Sequence, residues 1–177
     1  MLAALRRHDL DRPGAPVFVQ SFETHNLERL REHTQLPLIQ LVDLDGAPYD
    51  LERTGDARTY RDLVSRSGLA RVATYAAGVG VHKDLVLPRN TAGRVGPPST
   101  LVDDVHEHGL LVHAWTLRNE NQFMADDFRA GSDPNASGDA QAEIEAFLDA
   151  GVDGFFTDQA DTGVSARDGW LTLLQAG

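Results

Sequence analysis

Five apolar stretches of the chain each run into side chains that can do chemistry: Gln20-Ser21, Asp43, His82-Lys83, Trp115-Thr116 and Thr157-Asp158. Gln20 carries a donor and an acceptor, which suits a ligand hydroxyl or a metal-bound water. Lys83 is a cation at the end of an apolar run in an acidic chain, placed to pair with an anion or to serve as an ordinary loop lysine. Of the seven histidines, at 8, 25, 33, 82, 106, 108 and 113, His82 beside it is the best placed. Arg118 can reach an anion, or brace the loop after it by pairing with Glu120 or a helix-end carbonyl. Phe22 and Trp115 offer aromatic faces that read as pocket walls or as core. His106 and His108 are two residues apart, so on a helix they do not face one partner. The adjacent acids Asp103-Asp104 and Asp126-Asp127 point apart in the same way and read as solvated helix faces, and His113 reads as packed inside a strand.

What must position these groups is a pattern that recurs five times: a short apolar run, a polar loop, then an amphipathic stretch closed by Gly or Pro. "PVFVQSF" precedes helix-like "THNLERLREHT", with Thr24 as its expected N-cap. "PLIQLVD" precedes helix-like "ARTYRDLVSRSG", with Gly68 as its expected stop. "LARVATYAAGVGV" is the third strand region, and "STLVDDVHEHG" after it has a capping-box spacing at Thr100 and Asp103, with Gly109 as terminator. "LLVHAWTL" and "GVDGFFTD" are the fourth and fifth strands. Between them lie a Gly- and Ser-rich loop over residues 131 to 139 and a helix with Ile144, Phe147 and Leu148 on one face. A last short helix is expected in "ARDGWLTLLQAG". Continuous apolar strands alternating with helices predict a parallel α/β sheet. In such folds ligands bind at the carboxyl ends of the strands, so these five ends form one candidate rim. A doubly wound open sheet and a (β/α)8 barrel fit the periodicity equally.

Composition narrows the function. The chain has 177 residues, with 16 Lys plus Arg against 27 Asp plus Glu, a formal charge of −11. That balance argues against sequence-independent nucleic-acid binding and against docking on anionic membranes. An anionic small substrate would need local cations or a metal. There are no cysteines, which excludes disulfides and thiolate metal sites. No apolar run approaches the roughly 20 residues of a membrane span. The opening "MLAALRRHDLDRPGAP" lacks the order of a signal peptide, so no export signal is expected in this chain.

Taken in order, "VFVQSFE", "ATYAAGVGVHKDLVLP", "GLLVHAWTLRNENQF" and "GVDGFFTDQADTG" resemble consecutive landmarks of the glycerophosphodiester phosphodiesterases, from about Pro16 to about Arg167. The insertion after Arg118 is similar to that of the larger bacterial subgroup, which is often periplasmic or secreted. The resemblance implies a (β/α)8 barrel that hydrolyses glycerophosphodiesters to sn-glycerol 3-phosphate and an alcohol. It implies a divalent metal, Ca2+ or Mg2+, held by carboxylates, with two histidines doing acid-base and nucleophilic work. Gln20, Lys83 and Arg118, by their chemistry at the strand ends, and Phe22 and Trp115, by the resemblance, are the expected substrate-pocket residues, and the resemblance gives Thr157-Asp158 an architectural role.

The family's catalytic elements belong to its first three strands: a His-Arg-Gly, a Glu-x-Asp pair, a His-Asp and a Glu-x-Lys. This sequence contains no His-Arg-Gly, and no Glu before residue 16. "RHDL" at residues 7 to 10 resembles the His-Asp element only superficially, because a strand and a helix should separate that element from "QSF". The five units therefore correspond to strands four to eight, a partial (β/α)8 barrel. Residues 1–177 are expected to be one incomplete domain, with 1–15 a helix remnant or linker. On this reading no catalytic residue and no metal ligand lies in the chain, which would be inactive alone. A non-catalytic glycerol-phosphate-binding module and a non-functional remnant are the alternatives. Five strands of a barrel leave two open edges, so self-association, or pairing with a chain carrying the other strands, is expected.

Overall fold

The computed structural model describes residues 1–176. Five strands, β1 (Val19–Ser21), β2 (Leu38–Val42), β3 (Gly78–His82), β4 (Leu111–Leu117) and β5 (Gly154–Thr157), form one sheet in that order. Strands β1 and β2 pair in parallel, as do β4 and β5. The helices are α1 (Leu2–Arg7), α2 (Thr24–Arg31), α3 (Tyr49–Thr54), α4 (Tyr60–Leu63), α5 (Arg66–Val72), α6 (Leu101–Glu107), α7 (Ala140–Asp149) and α8 (Ala160–Ala176). The strand–helix alternation is thus the α/β arrangement expected from the apolar runs. No helix among the described residues is long and apolar enough to cross a membrane. The chain divides into two compact units, one of residues Met1–Gly80 with Asp103–Leu111, the other of Val81–Val102 with Val112–Gly177.

In the first unit all five β2 residues are buried, and the apolar sides of α2, α3, α4 and α5 supply Leu27, Leu51, Leu63 and Leu69 at 2% exposure or less. Truncating any of these leucines removes both transfer energy and packing, about 2–5 kcal/mol each. Thr24 does not cap α2 in the way the sequence predicts, because it is already the first helical residue. Asp50 caps it instead, from α3. One of its carboxylate oxygens accepts from the His25 N–H at 2.7 Å and the Thr24 hydroxyl at 3.0 Å. Burial alone would raise the Asp50 pKa, but these bonds outweigh it and hold the group below its usual range.

Two boundaries differ from the sequence reading. Gly68 does not end a helix. The predicted helix breaks into α4 and α5, and Gly68 sits in the first turn of α5, where its N–H donates to the Ser65 cap. A Cβ there would lie 2.0 Å from the Asp62 carbonyl oxygen, so the residue is glycine for the close approach of two helices. Strand β3 begins only at Gly78, because Leu69 and Val72 are buried on α5 at a helical spacing rather than on a strand. Gly109 does stop α6, with φ of +69°.

Residues 1–15 carry α1, which buries none of its side chains. This segment is tied down by polar bonds: Arg6 reaches Asp11 at 2.7 Å and the His33 carbonyl at 2.8 Å, and Asp11 also accepts from the Thr34 hydroxyl.

In the second unit α7 packs on α8 with Ile144, Phe147 and Leu148 buried, the face expected from sequence. The turn into β5 is held by Asp153, whose N–H donates to the Val112 carbonyl at 2.9 Å while its carboxylate accepts from the Val112 N–H at 2.7 Å. A Cβ on Gly163 would meet Thr157 at 2.8 Å, so this glycine lets α8 lie close on β5.

Candidate functional site

The first unit presents the end of β1. Gln20 is exposed, Ser21 half-buried, and Phe22 37% exposed with its ring edge-on to Tyr60 at 6.0 Å between centroids. The Ser21 hydroxyl oxygen accepts from the Glu23 N–H at 3.0 Å and the Asn26 amide at 2.9 Å, which turns this side chain toward the start of α2. Asp43, at the end of β2, accepts from its neighbour's N–H at 2.7 Å. Behind these ends lies Gln40, fully buried among the apolar residues of β2 and missed by the sequence reading. A cavity of about 930 Å³ in this unit is lined by Arg6, Asp11, Arg12, Arg31 and His33, and by none of the strand-end residues.

The second unit presents the ends of β3, β4 and β5. The His82 ring stands edge-on to Trp115 at 5.1 Å. Its Nδ1 accepts from the Asp84 N–H at 3.2 Å, so in the neutral ring the proton sits on Nε2. The peptide between Trp115 and Thr116 is cis. Lys83 is not turned to solvent. Its ammonium donates to both oxygens of Glu143 on α7, at 2.9 and 3.0 Å, and the two side chains are 4% and 2% exposed. Burial pushes the Lys83 pKa down, and the Glu143 charge opposes that push. Glu143 also accepts from the Ala125 N–H at 3.3 Å. Arg89 adds a second brace on the same loop, donating to the Phe123 carbonyl at 2.9 Å, the Met124 carbonyl at 3.1 Å and Asp84 at 3.0 Å.

Arg118 follows β4. Its guanidinium carbon lies 4.5 Å from the centre of the Phe123 ring, and its Nε is 2.8 Å from an Asp158 oxygen, close enough to ion-pair but too oblique to count as a hydrogen bond. The partner is thus Asp158 rather than the Glu120 or helix-end carbonyl weighed from sequence. Asn119 donates to Thr162 at 2.9 Å, while Asn119 Oδ1 and Glu120 Oε2 are buried and accept from no described residue. Asn121 organises the long loop that follows. Its amide bonds the Ala130 and Asp133 carbonyls at 2.9 and 2.8 Å and accepts from the Ala130 N–H at 2.9 Å.

The histidines scatter. His25 sits 3.1 Å from Asp50, His108 bonds the Asp104 carbonyl, and His113 is buried edge-on to Phe156. Among the described residues no group of three or more His, Asp or Glu is arranged to hold a metal ion.

Of the residues sequence reasoning missed, Glu143 and Gln40 each carried a signal. Glu143 falls with Ala140, Ile144, Phe147 and Leu148 on the buried side of α7, an acid on an apolar face. Gln40 is a lone amide inside an otherwise apolar run.

Comparison with known proteins agrees with the motif reading. The sequence model of the glycerophosphoryl diester phosphodiesterase family matches residues 2–162. The chain is 33% identical over 144 residues to glycerophosphodiester phosphodiesterase GDPD6 of Arabidopsis thaliana, covering 81% of this chain and 35% of that protein. It is 24% identical over 175 residues to a glycerophosphodiester phosphodiesterase of Bacillus subtilis, covering 96% of this chain and 44% of the relative. Two solved structures share the fold. A putative glycerophosphoryl diester phosphodiesterase from Agrobacterium tumefaciens has a TM-score of 0.53 at 21% identity, over 94% of this chain and 49% of its own. One from Silicibacter pomeroyi has 0.56 at 20%, over 93% and 41%. The chain thus spans about a third to a half of the length of these proteins. Its fold is part of a (β/α)8 barrel, which decides between the two architectures that periodicity left open, and the chain belongs to the glycerophosphoryl diester phosphodiesterase family.

Proposed function

We propose that this chain supplies the substrate-holding part of a glycerophosphodiester phosphodiesterase, acting in hydrolysis of glycerophosphodiesters to sn-glycerol 3-phosphate and an alcohol. The observation that carries the reading is the family match over residues 2–162, which includes every strand end described above. A phosphodiester is an inert anion, and its cleavage needs charge neutralisation and proton transfer at the leaving oxygen. In this family a divalent cation supplies the first of these when bound. The present residues bind and orient.

Arg118 is the proposed phosphate contact. It is held over Phe123 and beside Asp158, so its geometry is set before a ligand arrives, and a guanidinium has N–H donors to spare for an anion. Asn119 Oδ1 and Glu120 Oε2 are acceptors in want of donors, and glycerol hydroxyls are donors. Trp115 offers an aromatic face to the carbon side of glycerol or of the leaving alcohol. Lys83 contributes through its pair with Glu143, which fixes the loop carrying Phe123. In the first unit, Gln20 and Phe22 are the proposed contacts.

Catalytic histidines and metal-binding carboxylates are proposed to come from outside these 177 residues. Residues 1–177 are proposed as one incomplete domain of this family, with 1–15 as a linking segment. The sheet has β1 and β5 as its edges, and an unpaired parallel edge is a template for another strand. A chain carrying further strands, or a second copy, is the proposed partner. A monodisperse monomer with cooperative melting on size-exclusion and calorimetry would sink that part.

Two measurements test the whole. The purified chain should not turn over glycerophosphocholine or bis(p-nitrophenyl) phosphate with Ca2+ or Mg2+, yet should bind sn-glycerol 3-phosphate saturably in isothermal titration. Arg118→Ala should weaken that binding by tenfold or more. Metal-dependent turnover by the chain alone would show that the catalytic groups lie within it. Absence of binding would overturn the substrate-holding role and leave a remnant.

A further inference from the structure

We propose that Gln40 is a positioning residue that fixes the end of β1, and with it the presentation of Phe22 and Gln20. The inference rests on the substrate-holding role proposed for those two residues.

Gln40 is 0% exposed, flanked on β2 by buried Leu38, Ile39, Leu41 and Val42. An amide in that setting loses its water, so the fold must return every bond. It does so across strands. Gln40 Nε2 donates toward the Phe22 carbonyl at 3.0 Å, the Leu41 carbonyl at 3.0 Å and the Ser21 carbonyl at 3.3 Å. Its Oε1 accepts from the Tyr75 hydroxyl at 2.9 Å. Carbonyl oxygens only accept, so the amide has one workable orientation: nitrogen toward β1, oxygen toward Tyr75. Tyr75 is 5% exposed and stands just before β3, so the amide locks three segments at once.

The place of this lock is specific. The β1–β2 ladder ends at the Ser21–Gln40 pair, and Phe22 lies beyond it. Gln40 ties the Phe22 carbonyl with a side chain, at the residue where the chain leaves the sheet for α2. The Phe22 ring, held edge-on to Tyr60, is set by where that carbonyl is tied.

The test compares Gln40→Met and Gln40→Glu with the wild-type chain. The readouts are the nuclear Overhauser signal between the Phe22 and Tyr60 rings and the affinity for sn-glycerol 3-phosphate. In Gln40→Met the ring–ring signal should vanish and affinity should fall at least tenfold. In Gln40→Glu the ionised side chain repels the carbonyls of Ser21, Phe22 and Leu41, whereas the protonated one donates again. Its ring–ring signal should therefore recover as pH falls, and its affinity should rise toward that of the wild type measured at the same pH. A Gln40→Met chain that melts earlier yet keeps both signal and affinity would overturn the proposal. So would a Gln40→Glu chain with no pH dependence. If the wild type itself binds no sn-glycerol 3-phosphate, the functional reading fails, and the ring–ring signal alone still decides whether Gln40 positions Phe22.

Discussion

The end of β1 and the end of β3 are both held by buried polar side chains, but by opposite electrostatic means. At β1 the holder is a neutral amide, Gln40, with all partners neutral. At β3 it is an ion pair, Lys83 with Glu143, 4% and 2% exposed. A neutral network loses only the bonds that are cut. A buried ion pair leaves an uncompensated charge when either partner goes. The two strand ends should thus fail differently under mutation, salt and pH, although each is well bonded in the folded state.

The largest expected effect is on the charged side. Glu143→Leu strands the Lys83 ammonium and should cost about 3–5 kcal/mol in urea unfolding. The double variant Lys83→Met with Glu143→Leu should recover most of that loss, since apolar residues of similar volume often replace a buried pair at little cost. Equal losses in single and double variants would break the comparison.

On the neutral side, Tyr75→Phe leaves Gln40 Oε1 without its donor and should cost about 1–3 kcal/mol. Burial pushes the Tyr75 hydroxyl pKa up, so it stays a donor across the accessible range and this loss should not vary with pH.

His113 provides the pH dependence of the second unit. Burial lowers its pKa below the ordinary 6.5, with the Asp153 charge opposing. A group whose folded pKa is depressed binds its proton more readily when unfolded. Stability is therefore full above about pH 6.5 and is lost as pH falls from there toward the folded value. Thermal melts at stepped pH should show this decline in the wild type and a flatter profile in His113→Gln.

The smallest effect belongs to Arg118 and Asp158, 35% and 52% exposed. Asp158→Asn should change stability by about 1 kcal/mol or less. It should still strengthen binding of inorganic phosphate, because the guanidinium loses a competitor, and the gain should shrink in high salt.

Much of the fold was legible because strand interiors are apolar and ligand-side ends are not. "PLIQLVD" and "GVDGFFTD" read correctly on that contrast alone. The α5–β3 boundary did not, because Leu69, Val72, Val79 and Val81 are equally buried and only their spacing changes from helical to alternating. Gly68 misled because glycine ends helices by its free φ, whereas here it lacks a Cβ for a contact whose other half is a backbone oxygen. The strand-end residues were visible as exceptions at the ends of apolar runs. Their partners were not, since Glu143 is 60 residues from Lys83 and Gln40 is 35 from Tyr75, distances that only the fold closes.

The aspartate that caps α2 gives the chain a timetable. Asp50 lies 26 residues beyond Thr24, and α2 alone is eight residues long, too short to persist in water by its own propensity. A ribosome making this protein therefore releases α2 before its capping residue, and the helix gains that cap only once Asp50 has emerged. The helix of one repeat is in this sense consolidated by the helix of the next.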